Sequence, residues 1–143
     1  MGKLLFAIIP GEPKGKARPR FSRRGVTYTP TTTKSYEQTV KAEWRSTNGQ
    51  AAFLPKIPLA CEIVAYFAPP ESESRKKQLD RIKNQYATKR PDADNIAKII
   101  LDALNGVAFH DDAQVVKLIV TKRYATEPYV TIALTECEVD GNV

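Results

Sequence analysis

Histidine occurs once in this chain, at His110, and cysteine twice, at Cys61 and Cys137. One histidine excludes a His-rich metal centre. Two distant cysteines, with no CxxC or Cys/His spacing, exclude a zinc module or a dithiol redox motif. Both cysteines sit in apolar, strand-like runs and read as reduced core residues of a cytoplasmic protein. Long hydrophobic runs are also missing. Leu4 to Ile9 is the only apolar run near the N-terminus; it is too short for a signal-peptide core, and Pro10 ends it. No segment reaches the length of a membrane span. Neither GxxxxGK[ST] nor GxGxxG occurs, so the usual phosphate-cradling glycine loops are absent. There is no internal repeat and no low-complexity segment.

What is there is basic charge, unevenly spread. The 143 residues carry a formal charge of +6. Residues 10–24 hold Lys14, Lys16, Arg18, Arg20, Arg23 and Arg24 against Glu12, and residues 75–90 hold seven cations against Asp80. These two runs bring +5 and +6, so everything outside them is net −5. Segregation of this kind, more than net charge, points to a polyanionic partner. The length suits one domain spanning residues 1–143.

The chain reads as α/β (α+β), one mixed sheet with helices packed on it, in the order β-α-β-α-α-β-β. Leu4 to Ile9 is apolar on both faces, which predicts a central strand. Tyr36, Val40 and Trp44 recur every four residues and predict a helix over 33–45. A loop over 48–58 leads to a strand over 60–67, with Cys61, Ile63, Ala65 and Phe67 on one face. Residues 71–85 are polar, acidic first and basic later, and predict an exposed helix. Ile96, Ile99, Ile100, Ala103, Leu104 and Val107 form one helical stripe that stops at Asn105-Gly106. Strands follow over 115–124 and after Pro128. In the last, Val130, Ile132 and Tyr129 are open to either a core or an interface role.

The densest chemistry lies between these elements. Arg90-Pro91-Asp92-Ala93-Asp94-Asn95-Ile96-Ala97-Lys98 is followed by His110-Asp111-Asp112. Pro91 keeps Arg90 out of the helical region, and in an extended entry Asp92 and Asp94 point the same way. On the helix that follows, Asp94, Lys98 and Asp102 fall on one line opposite the isoleucine stripe. Each piece has a plain structural role available. Asp94 suits a helix N-terminus, Asp94 and Lys98 fit an i,i+4 pair, and Asp111-Asp112 suits a turn. Together, carboxylates gathered within a basic chain suit a divalent metal that meets phosphate. A lysine beside them suits charge developing on phosphate oxygens. His110 fits a surface role or support near that metal.

The block Asp92-Ala93-Asp94-Asn95 with Lys98, then Asp102-Ala103-Leu104-Asn105-Gly106, then Asp111-Asp112-Ala113-Gln114-Val115, closely resembles the RusA family of Holliday-junction resolvases. The opening Pro10-Gly11-Glu12-Pro13-Lys14-Gly15-Lys16-Ala17-Arg18-Pro19-Arg20 is similar to the Pro- and Arg-rich start of many members. The resemblance implies a homodimeric endodeoxyribonuclease of DNA recombination and repair, bacterial or phage-encoded, that uses Mg²⁺ (or Mn²⁺) to cut four-way junctions. It assigns Asp92, Asp94 and Asp112 as metal-binding catalytic carboxylates and Lys98 as the active-site lysine, with Asp111 a weaker candidate. Lys14, Lys16, Arg18, Arg20, Lys89 and Arg90 are the expected DNA contacts. The alternatives are a non-catalytic basic DNA-binding module and a simple metal-dependent flap or single-strand nuclease. A glycosyltransferase built on the DxD motif would need a longer chain and a nucleotide-binding unit.

Overall fold

The structure is a computed structural model that describes residues 3–17, 20–25, 27, 28 and 31–138; of residues 20, 21, 27 and 28 it describes only the backbone. Strand β1 (Leu4–Pro10) leads into a basic loop, in which β2 (Arg20–Phe21) and β3 (Thr27–Tyr28) form a small antiparallel pair. Helix α1 (Thr31–Asn48) crosses to β4 (Leu59–Phe67). Helices α2 (Arg75–Asn84) and α3 (Ala93–Leu104) then lead to β5 (Val115–Tyr124) and β6 (Tyr129–Glu136). The main sheet runs β1-β6-β4-β5, with β4 and β5 parallel and the other neighbours antiparallel. A parallel pair needs a long crossover, and α2 with α3 supplies it.

Alternation decides which face of the sheet is covered. Ala7 and Ile9 on β1, Cys61, Ile63, Ala65 and Phe67 on β4, and Val130, Ile132 and Leu134 on β6 are all buried on one side. Against them α1 sets Tyr36, Val40 and Trp44, and α3 sets Ile96, Ile99, Ile100, Ala103 and Leu104. Val130 and Ile132 are therefore core, and Tyr129 belongs to the opposite face.

Several elements differ in place or extent from their sequence signals. Strand β1 is an edge strand, although its two-faced apolarity predicts a central one; Leu4, Phe6 and Ile8 lie open at 60%, 40% and 49%. Helix α1 extends two residues earlier and three later than its apolar repeat, because polar turns beyond the core contact continue the same backbone; Gly49, at φ 61°, ends it. Helix α2 exists, but Glu71 and Glu73 precede it and Ser74 caps it, accepting from the Lys77 N–H at 3.3 Å. It buries none of its residues, and a two-pronged ion pair from Arg81 to Glu73, 2.7 Å at each nitrogen, ties it back to the preceding turn.

Candidate active site

Helix α3 carries the first half of the site. Its stripe of isoleucines must face the sheet, and that fixes the opposite line, Asp94, Lys98 and Asp102, outward. The Arg90–Pro91 peptide is cis, and Asp92 is the helix N-cap with extended backbone (φ −68°, ψ 152°). The helix begins at Ala93, so Asp94 lies in its first turn, and the extended-chain alternation expected of Asp92 and Asp94 does not apply. An N-cap aspartate ordinarily accepts a hydrogen bond from the first-turn N–H groups. The Asp92 side chain makes no such bond. Nor do Asp94 and Lys98 form an ion pair, although their spacing would allow one. Asp92 thus does not cap, and Asp94 and Lys98 do not pair, although Asp94 does take the first-turn place that suits a helix N-terminus.

The second half is a turn held by a buried amide. Asp111 caps the single 3-10 turn Asp112–Gln114, accepting from the Ala113 N–H at 3.0 Å. Gln114 is buried and fully satisfied. Its Oε1 accepts from the His110 and Asp111 N–H groups at 3.0 and 3.1 Å, and its Nε2 donates to the Leu54 and Ile57 carbonyls at 2.9 and 3.0 Å. Those four bonds clamp the acidic turn to the 54–57 loop. The Gln114 position is visible in the sequence, but its clamp depends on a loop some sixty residues away, and no local signal reveals it.

The acid pair titrates apart. The Ala113 N–H, followed by a hydrogen bond shared with Asp112, holds the Asp111 carboxyl below its usual range. Burial pushes Asp112 upward, and the Asp111 hydrogen bond and the negative charges of Asp111 and Asp102 add to this; Lys98 offsets part of it. Asp112 therefore lies in the electrostatic field of Lys98 and Asp102 on α3. Among the described residues no three His, Cys, Asp or Glu side chains gather into a ready metal-binding group.

Basic residues reach the same helix from two directions. The 13–16 loop lies across the start of α3, with the Lys16 N–H donating to the Asn95 carbonyl at 3.0 Å. Gly15 makes this possible, because a Cβ there would stand 2.7 Å from Pro91 Cβ and 3.1 Å from Asn95 Cβ. The Lys16 ammonium sits between Glu37 of α1 at 3.1 Å and Asp102 of α3 at 3.2 Å. Burial alone would lower its pKa, but the hydrogen bonds and charges of those two carboxylates outweigh it and raise it. Any phosphate contact by Lys16 would compete with both. A cleft of about 420 Å³ lies alongside, with Lys14, Lys89, Arg90 and Asp92 in its walls and Phe67 in its lining. Lys89 leans over the Phe67 ring at 5.5 Å and toward Glu12 at 3.9 Å. Arg18 lies outside the described residues, and Arg20 is described only as backbone in β2. His110 is exposed and borders a separate groove with Lys56 and Pro58.

Residues 10–135 match the family model described as Endodeoxyribonuclease RusA. The chain is also 33% identical over 142 residues to the uncharacterized protein YqaN of Bacillus subtilis (strain 168), covering 95% of this chain and 98% of that one.

Proposed function

This chain belongs to the RusA family of endodeoxyribonucleases, and on that premise we propose that it is a divalent-metal-dependent enzyme that resolves four-way DNA junctions by paired phosphodiester cleavage. Its setting is recombination and repair of bacterial or phage DNA in the cytoplasm. The observation that carries this reading is the Asp92 carboxylate, which makes no capping hydrogen bond and lines a cleft with Lys14, Lys89 and Arg90. An acid kept free beside a phosphate-attracting surface suits a metal that meets DNA.

The donor set fits Mg²⁺ or Mn²⁺. Asp92, Asp94 and Asp112 offer hard carboxylate oxygens without a nitrogen or sulfur ligand. Mg²⁺ needs only one or two carboxylates when waters and substrate phosphate complete its shell, so a tight protein cage is not required. When bound, the metal would polarise the scissile phosphate and activate water.

The chain's own residues do the rest. Lys14, Lys89 and Arg90 hold the DNA backbone against the start of α3, with Arg18 and Arg20 extending that contact. Lys98, which forms no ion pair among the described residues, faces the charge that develops on the phosphate oxygens. Lys16 holds Asp102 and Glu37 together and so fixes α3 against α1. Gln114 keeps Asp112 presented. The direct test is cleavage of a synthetic four-way junction beside linear, nicked and flap DNA, with and without Mg²⁺. Metal-dependent paired cuts in the junction are expected. Preference for the flap would favour a simple nuclease instead, and DNA binding without cleavage would favour a non-catalytic module.

A further inference from the structure

The groove beside His110 has no part in the chemistry described above. It encloses about 380 Å³, within the range of roughly 300–1,000 Å³ found for small-molecule sites. Pro58, Ala113 and Val116 give it an apolar lining, and Lys56 and His110 stand in its walls. A lone exposed valine needs no explanation. Val116, 59% open, shares a groove with two basic side chains that form no ion pair among the described residues. Two further features separate the groove from a chance hollow. Lys56 holds φ at 67°, a left-handed backbone that residues other than glycine seldom adopt. Such backbone persists where its surroundings fix it, and it gathers at ligand clamps. Gln114 joins the two walls. Its Oε1 holds the His110 and Asp111 N–H groups, and its Nε2 holds the Leu54 and Ile57 carbonyls, which flank Lys56 in the chain. The groove is thus preformed, and the amide that shapes it also presents Asp112.

We propose that this groove receives one unpaired nucleobase of the DNA strand that meets the acidic turn. The inference rests on the nuclease reading for the presence of DNA, and on the groove for the base. A nucleobase has flat faces that pack on proline and valine side chains and on the His110 ring, and its sugar-phosphate brings negative charge to Lys56. Asp111 is the one acid in the lining, and it is already turned into its own cap, accepting from the Ala113 N–H at 3.0 Å. A base inside a duplex is stacked on both faces and paired along its edge. Taking it out costs least where pairing is already interrupted, as at a branch. The groove therefore favours branched over continuous DNA, with Lys56, His110 and Val116 as the residues that set this preference. A second copy of the chain is the poorer occupant, because a protein of charge +6 brings further cations toward Lys56.

The test places 2-aminopurine, which brightens when unstacked, at each nucleotide flanking the branch of a four-way junction. Protein is added to saturation in EDTA, so that no strand is cut. One position should brighten several-fold with the wild-type chain. Val116→Gln puts a longer polar side chain into the groove at an exposed position, and Lys56→Gly removes the cation while suiting the left-handed backbone. Both should keep the circular-dichroism spectrum, bind the junction and lose the brightening. Lys89→Ala with Arg90→Ala should weaken binding yet keep it at saturation. With Mg²⁺, replacing the brightened nucleotide by an abasic one should slow wild-type cleavage on the order of ten-fold, the worth of one base contact. It should slow Val116→Gln no further. A bound junction in which no position brightens, or brightening that survives in both folded variants, overturns the proposal. Cleavage of such an unbrightened junction would leave the nuclease reading intact. A base captured by the groove in a junction that is never cut would sink the nuclease reading and leave this one standing.

Discussion

At the scale of single residues, Asp92 and Lys98 leave ordinary structural duties undone, whereas Asp111 caps its turn. Asp92 occupies a capping position without capping, so Asp92→Asn should leave the stability to unfolding within about 0.5 kcal/mol of wild type. The same change should abolish cleavage, while binding to junction DNA survives. Lys98→Ala should behave alike; an exposed ion pair would cost at most about 0.5 kcal/mol, far too little to account for a severe loss of turnover. Asp112 makes a sharper case, because its carboxyl is pushed up in the folded chain. A group raised on folding favours the folded state while protonated, and that advantage is lost as pH rises through the folded pKa. In EDTA at neutral pH, Asp112→Asn should therefore raise the melting temperature, with the gain vanishing below the normal carboxylate range. A lower melting temperature at pH 7 would show that the shift is misread. Gln114 is the counterweight, since Gln114→Ala removes the partner of two N–H groups and of the Ile57 carbonyl, while the Leu54 carbonyl keeps the Ile57 N–H at 3.4 Å, and it should cost about 1–3 kcal/mol. It should also lower turnover, because it frees the turn that presents Asp112.

At the scale of elements, the sequence was most readable where periodicity and packing agree. The α3 stripe and the Asn105-Gly106 stop predict the observed helix end, and Gly106 takes the left-handed φ of 80° that such a stop needs. The alternation of β4 and β6 likewise predicts their buried faces. Edge position was not readable, because apolarity on two faces does not say how many strands a strand pairs with, and β1 pairs only with β6. The placement of the 13–16 loop was also hidden. Its contact with α3 is tertiary, and Gly15 reads from sequence only as a flexible point. Gly15→Ala tests that contact. The clashing atoms are Cβ atoms fixed by backbone, so they cannot rotate aside, and the loop must lift from Pro91 and Asn95. A loss of about 1–3 kcal/mol in stability is expected, together with weaker junction binding. Unchanged affinity would mean that the loop's seat on α3 does not matter to DNA.

At the scale of the whole molecule, charge is sorted by surface. The start of α3, with Asp92, lines a cleft that also holds Lys14, Lys16, Lys89 and Arg90, whereas the sheet face away from the helices holds three charges of mixed sign, Glu62, Lys117 and Arg123. A basic surface that binds DNA releases counterions, so the logarithm of affinity should fall linearly with the logarithm of salt concentration. Each phosphate contact adds about 0.9 to that slope on duplex DNA. Lys89→Ala with Arg90→Ala should then weaken binding to all sequences alike and flatten the slope by about 2. Lys16→Ala should behave differently, because its ammonium is already held by Glu37 and Asp102. It should lower stability and change the slope by much less than 1, the amount that one phosphate contact would bring. Titrating fluorescent junction DNA from low to high salt measures both slopes directly. If Lys16→Ala flattens the slope as much as a cleft residue does, the ammonium leaves its two carboxylates for phosphate on binding. Lys16 would then be a switch between an internal ion pair and DNA.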